Sequence, residues 1–157
     1  LGLFTAVPDL DSVSVPSGCC SGICGVIAAR DERGSKTQVV GVVSTEADAV
    51  RLSFEAGKIC ETPSANTFAD GLAVRKPIPE AFAIYSAGAA RIVAVNDGQI
   101  AEAMRMYYTD THNLAEGAGA SALAALVQER DAMAGRTVGV ILSGGNVDRG
   151  VYAQVIQ

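Results

Sequence analysis

With 157 residues, only 18% of them charged, the chain is long enough to bury one sizeable core and too apolar for a disordered segment. A formal net charge of -5 and the absence of any Lys/Arg cluster argue against a nucleic-acid partner, whose affinity comes mainly from neutralised phosphates, and leave small metabolites as the natural ligands. No apolar run reaches bilayer-spanning length, and the start has neither a basic n-region nor an A-x-A cleavage site, so a soluble, cytoplasmic protein without a membrane partner is expected.

The chain opens on "LGLFTAVPDLD", apolar from its first residue and without an initiating Met. This stretch is expected to be the last turns of a helix already under way, and the chain a fragment. Asp11 to Ser17 alternates and is rich in β-branched residues, which predicts a strand, and Ile23 to Arg30 predicts a helix facing a sheet. Between them lies the small-residue loop of "VPSGCCSGICG". "TQVVGVV", Thr37 to Val43, is the near-continuous apolar run of a parallel strand buried on both faces, followed by a helix from Glu46 to about Ala56. Lys58 to Pro77 is a long ordered connection, expected to return to the sheet near Leu72 to Arg75. Pro79 to Ser86 predicts a short helix and Ile92 to Val95 a strand. Asn96 with Gln99 resembles a capping box opening a helix from Asp97 to about Tyr108, with Ile100, Met104 and Tyr107 on one face. "GAGASALAALVQER" is a small-residue helix able to pack closely on a sheet, and Thr137 to Leu142 a last buried strand ending in "SGGN". Strands alternating with helices imply an α/β fold with a parallel, Rossmann-like three-layer sheet and right-handed crossovers.

Ligands of open α/β sheets bind at the carboxyl ends of the strands, where the loops Ser17 to Gly22 and Ser143 to Asn146 fall. In the first, successive backbone N–H groups and the N-terminus of the next helix could hold a phosphate, with Ser21 adding a hydroxyl. A plain tight strand-to-helix turn fits the same local pattern. The Gly-Lys-Ser/Thr ending of a P-loop is missing, as is G-x-G-x-x-G with a carboxylate after the next strand. Cys19, Cys20, Cys24 and Cys60 are expected to be reduced thiols. The only histidine, His112, lies too far along the sequence for a zinc pattern, so no metal site is expected.

Four stretches taken together, "DLDSVSVPSGCCSGICGVIAA", "NTFADGLAVRKP", "AEGAGASALAAL" and "VGVILSGGNVD", resemble the carboxyl-terminal half of fold type II, pyridoxal-phosphate-dependent threonine/serine dehydratases, in order and spacing. "DTHNLAEGAGA" is most similar to the bacterial threonine dehydratase and hydroxyectoine-utilisation dehydratase branch. The resemblance implies that residues 1–157 are the large-domain portion, with the amino-terminal part and the small domain elsewhere in a longer protein, and that the intact enzyme is a homodimer. It implies a pyridoxal 5'-phosphate site in which backbone amides at Gly18, Cys19, Cys20, Ser21 and Gly22 grip the phosphate. Cys can replace Gly where φ is negative, so Gly18 and Gly22 are expected to take the most demanding angles. A redox or nucleophilic role for Cys19 or Cys20 is the other reading, since a helix N-terminus lowers a thiol pKa.

Ser143 matches the family serine that hydrogen-bonds the pyridine nitrogen. Glu116 resembles the family glutamate near the ring; it reads equally as an acidic first-turn residue favoured by the helix dipole. Asp70 and Gly71 match a signature for loop geometry, and His112 reads as a structural helix-end residue. Some relatives hold a divalent cation at positions that here read Val43 and Ala49, so that site is expected to be absent or relocated, with Glu46 and Asp48 nearby. No Ser-x-Lys context surrounds Lys36, Lys58 or Lys76, so the lysine that forms the Schiff base in this family is missing, and no catalytic residue is expected in this chain. The resemblance implies a parent lyase acting on a small amino acid, converting threonine or serine to a 2-oxo acid and ammonia. A racemase or 3-hydroxyaspartate dehydratase on the same scaffold, or a non-catalytic Rossmann-type ligand-binding module, are the alternatives.

Overall fold

A computed structural model describes residues 2–157. Its strands β1 (Ser12–Pro16), β2 (Gln38–Ser44), β3 (Arg91–Val95) and β4 (Val138–Val140) form one parallel sheet in the order β3-β2-β1-β4. The helices are α1 (Gly2–Ala6), α2 (Ser21–Glu32), α3 (Ala49–Ala56), α4 (Pro79–Gly88), α5 (Asp97–Thr111), α6 (Gly117–Gln128) and α7 (Arg149–Val155). They lie on both faces of the sheet, as the alternation of strands and helices requires. None of them is long and apolar enough to cross a membrane.

β2 explains the layering. It is an interior strand, so successive side chains go to opposite faces and both must be apolar. Val40 and Val42 join the core under α5, α6 and α7, with Val93, Val95, Ile100, Met104 and Tyr107. Val39 and Val43 join the other core, with Phe4, Ile23, Ile27, Val50 and Tyr85 from α1 to α4. Gly41 lets α2 settle on the sheet, because a Cβ there would lie 2.5 Å from Ile92 Cδ1 and 3.0 Å from Ile23 Cδ1. The helix expected at the start of the chain is α1; Leu1 lies outside the described residues. The capping box is present in both directions, Gln99 N donating to Asn96 Oδ1 at 2.9 Å and Asn96 N to Gln99 Oε1 at 2.8 Å.

Three expectations need correction. β4 has three residues, not six, and is half-buried, because among the described residues it is paired with β1 alone. α3 starts at Ala49 instead of Glu46, since Ser44 turns the chain first: its Oγ accepts from Glu46 N at 3.1 Å and its carbonyl from Ala47 N at 3.0 Å. Leu72 to Arg75 adds no strand. Asp70–Leu72 is one 3-10 turn that buries Leu72 in the core, while Arg75 pairs with Thr62 at the surface.

Candidate functional site

β1 ends at Pro16, and Ser17 N is tied to Val42 O of β2 at 2.8 Å, so the loop Gly18 to Cys20 starts from a fixed point at the carboxyl ends of two interior strands. Gly18 then makes a close backbone approach: any Cβ there would overlap the carbonyl oxygen of Gly71. Neither Gly18 nor Gly22 takes a left-handed angle. Cys20 does, at φ 66° and ψ 8°, as the N-cap of α2. The expectation about the glycines is thus reversed: Gly18 is required by space, and the demanding angle falls on a cysteine. Left-handed backbone costs an L-residue about 1–2 kcal/mol. Burial of the Cys20 side chain to 3% exposure and its Sγ–H contact to Gly18 O at 3.3 Å offset that cost.

The Cys20 side chain is therefore turned inward, and the helix N-terminus has no side-chain cap. Cys24 N donates to Cys20 O at 3.1 Å, so the amides of Ser21, Gly22 and Ile23 before it have no intrahelical acceptor. A left-handed residue followed by the helix curves successive N–H groups into an anion-binding concavity. Cys19, Ser21 and Gly22 are exposed beside it. The uncapped amides and the inward-turned Cys20 side chain fit a phosphate group. A redox role for Cys20 does not fit: burial first, then the neighbouring Cys24 and Cys19, push its thiol up to about 12. Burial also raises Cys24, and all four cysteines are free.

Gly71 and Glu116 lie between this loop and the other. A Cβ on Gly71 would lie 2.8 Å from Ala118 Cβ and 3.7 Å from Glu116 Oε1, at the start of α6. Glu116 N donates to Gly144 O at 3.1 Å, and its carboxylate accepts from Asn146 N at 2.9 Å. A Cβ on Gly144 would sit 2.7 Å from that carboxylate, and one on Gly119 would overlap Gly144 O. Glu116 is thus the extended N-cap of α6, without a capping bond to its own helix, and its side chain fastens the Ser143 to Asn146 loop. The first-turn reading placed it one residue too far into the helix. Ser143 itself is exposed, three residues beyond the end of β4. Phe68, Asp70, Gly71, Glu116, Asn146 and Val151 are among the residues lining a cavity of about 460 Å³ beside the start of α6; neither Gly18 to Gly22 nor Ser143 lines it.

A groove of about 510 Å³, bordered by Asp11, Lys36, Thr37 and Arg136, lies at the amino ends of β1 and β2. In a parallel sheet the chemistry belongs to the carboxyl end, so size does not decide between the two. Lys36, Lys58 and Lys76 are all exposed and none lines the 460 Å³ cavity. His112 is the left-handed C-cap of α5, its Nδ1 3.2 Å from Tyr108 O, a structural position as read. Val43 and Ala49 are buried and offer no side-chain oxygen, and Asp48 is engaged by Arg51. Among the described residues no group of three or more His, Cys, Asp or Glu could hold a metal ion.

The comparison with protein families decides the kinship: residues 3–144 match the model described as "Pyridoxal-phosphate dependent enzyme". The chain belongs to that family. Its cofactor is pyridoxal phosphate. The L-threonine ammonia-lyase of Geobacter sulfurreducens is 35% identical over 158 residues, covering 100% of this chain and 39% of that protein. The beta-hydroxyaspartate dehydratase of Paracoccus denitrificans is 31% identical, covering 93% of this chain and 46% of that protein. Among solved structures, maize serine racemase superposes with a TM-score of 0.87 at 32% identity, over 97% of this chain and 47% of that one. This member of the family thus spans less than half the length of each of these relatives.

Proposed function

We propose that this chain is the carboxyl-terminal, large-domain portion of a lyase that dehydrates and deaminates a β-hydroxy amino acid of the L-threonine or L-serine type, giving a 2-oxo acid and ammonia. The supporting observation is the convergence of two loops. Both loops follow strands at the carboxyl end of one sheet, with Gly71 packed on Gly18 and Glu116, beside Gly71, bound to Gly144 and Asn146. When bound, pyridoxal phosphate supplies an electron sink for the pair left at Cα once its proton is removed. In this reading the amides of Cys19 to Gly22 hold the phosphate, and Ser143 addresses the pyridine nitrogen. A serine hydroxyl can donate to an unprotonated nitrogen, whereas a carboxylate would favour the protonated ring. Ser143 therefore moderates electron withdrawal and favours loss of Cβ hydroxide over prolonged carbanion chemistry. Glu116 holds the Ser143 loop at its working distance from the cradle.

The amine that engages the substrate comes from the rest of the protein, so this chain alone is expected to be inactive. The test uses the full-length parent with L-threonine and L-serine, comparing Ser143→Ala and Ser143→Asp after checking that each binds cofactor. Ser143→Ala should weaken cofactor binding and turnover, and Ser143→Asp should divert flux from 2-oxo acid toward racemised or transaminated substrate. Unchanged rates and product ratios in both would remove Ser143 from the site. Likeness to serine racemase supports racemisation as the second reading, and accumulation of D-serine ahead of pyruvate in the parental enzyme would select it.

A further inference from the structure

We infer that Asp97 is a positioning residue for the cofactor cradle, acting through Thr67, Phe68 and Gly71 on Gly18; this rests on the cradle assignment above. Asp97 is the first residue of α5. Its Oδ1 accepts from Thr67 Oγ1 at 2.6 Å and from Ser44 Oγ at 3.4 Å, and its Oδ2 accepts from Phe68 N at 3.2 Å. Thr67 Oγ1 in turn accepts from Ala69 N at 3.1 Å. One carboxylate thus joins the end of β2, the start of α5 and the long connection.

Among the described residues, every hydrogen bond that ties 66–72 to another part of the chain ends on Asp97; the others in this segment are local turns. Both halves of the site lean on that segment. The carbonyl of Gly71 packs against Gly18, and a Cβ on Gly117, at the start of α6, would lie 2.9 Å from Ala69 Cα and 3.0 Å from the Phe68 ring. A carboxylate suits the position because three donors point at it and it is acceptor-only. An Asn side chain would turn an N–H₂ toward one of them. The α5 dipole favours the charge as well.

A merely structural Asp97 would be equivalent to any other cap of α5, so the control is Asn96→Ala, which breaks the capping box at the same terminus without touching 66–72. The 157-residue chain is studied by amide hydrogen exchange and by titration with pyridoxine 5'-phosphate against pyridoxine, probes that cannot condense with surface lysines. In Asp97→Asn, exchange at the hydrogen-bonded amides of Phe68, Ala69, Asp70 and Leu72 should accelerate about tenfold or more, the amide resonances of Gly18 to Gly22 should shift, and affinity for the phosphorylated probe should fall by a comparable factor. Asn96→Ala should leave both segments and the affinity at parental values. Thr67→Val should reproduce the Asp97→Asn pattern and Thr67→Ser restore the parental one, which decides the matter if Asp97→Asn does not fold. Unchanged amide resonances at Gly18 to Gly22 in the folded variants, or the same acceleration at Phe68 to Leu72 in Asn96→Ala, overturns the inference. If the parental chain itself does not prefer the phosphorylated probe, the cradle assignment fails separately, and the exchange data still decide what Asp97 holds.

Discussion

At Cys20 a backbone penalty and a buried side chain act against each other, and their sizes can be compared. Glycine would relieve the left-handed strain of about 1–2 kcal/mol but lose a buried thiol worth a similar amount. Cys20→Gly is therefore expected to change stability by less than about 1 kcal/mol, while Cys20→Val, β-branched at positive φ, should lose about 2 kcal/mol or more in urea unfolding. The thiol also sets a pH signature. Its folded pKa is raised from 9.0 to about 12, so the unfolded chain loses its proton first. The stability contribution is complete below about 9 and is lost as pH rises toward about 12. Cys20→Ser should flatten that part of the urea midpoint profile relative to the parent; parallel profiles would place the thiol in water. The cluster of small residues made this loop legible in the sequence. Which residue takes φ 66° was not, because that choice depends on the core the thiol enters.

At the scale of elements, the contact between α6 and the Ser143 loop rests on Gly119. In an ordinary helix, Gly→Ala gains up to about 1 kcal/mol. Here the new methyl overlaps the backbone of Gly144, which cannot rotate away. Gly119→Ala is expected to lose about 1–3 kcal/mol and to displace the Ser143 to Asn146 loop, read as a lowered Tm with reduced cofactor binding in the parent protein. A gain in Tm would show that the loop yields freely. Periodicity made most elements legible, including the capping box and the doubly buried β2. It failed where neighbours decide: Ser44 turns the chain before α3, β4 shortens because its outer edge has no partner among the described residues, and Asp70–Leu72 pays its way by burying Leu72 rather than by pairing with a strand.

At the scale of the whole molecule, the four stretches that carried the family resemblance come from separate parts of the chain and meet at one end of the sheet, through Gly18, Gly71, Glu116 and Gly144. The identities of those residues were legible; the hydrogen bonds from Thr67 and Phe68 to Asp97 were not, since an acidic first-turn residue reads as an ordinary helix start. The three lysines are exposed, so borohydride reduction of the chain with pyridoxal phosphate should spread label over Lys36, Lys58 and Lys76. Label confined to one of them would contradict the reading that the reactive amine lies elsewhere. The most direct test of the central claim, that the amides at the start of α2 hold the cofactor phosphate, is an NMR titration of the chain with pyridoxine 5'-phosphate, with pyridoxine as the control. The phosphorylated compound is expected to shift the amide resonances of Cys19, Cys20, Ser21 and Gly22, and pyridoxine to leave them in place; shifts confined to Ser35 to Gln38, in the groove at the opposite end of the sheet, would contradict it.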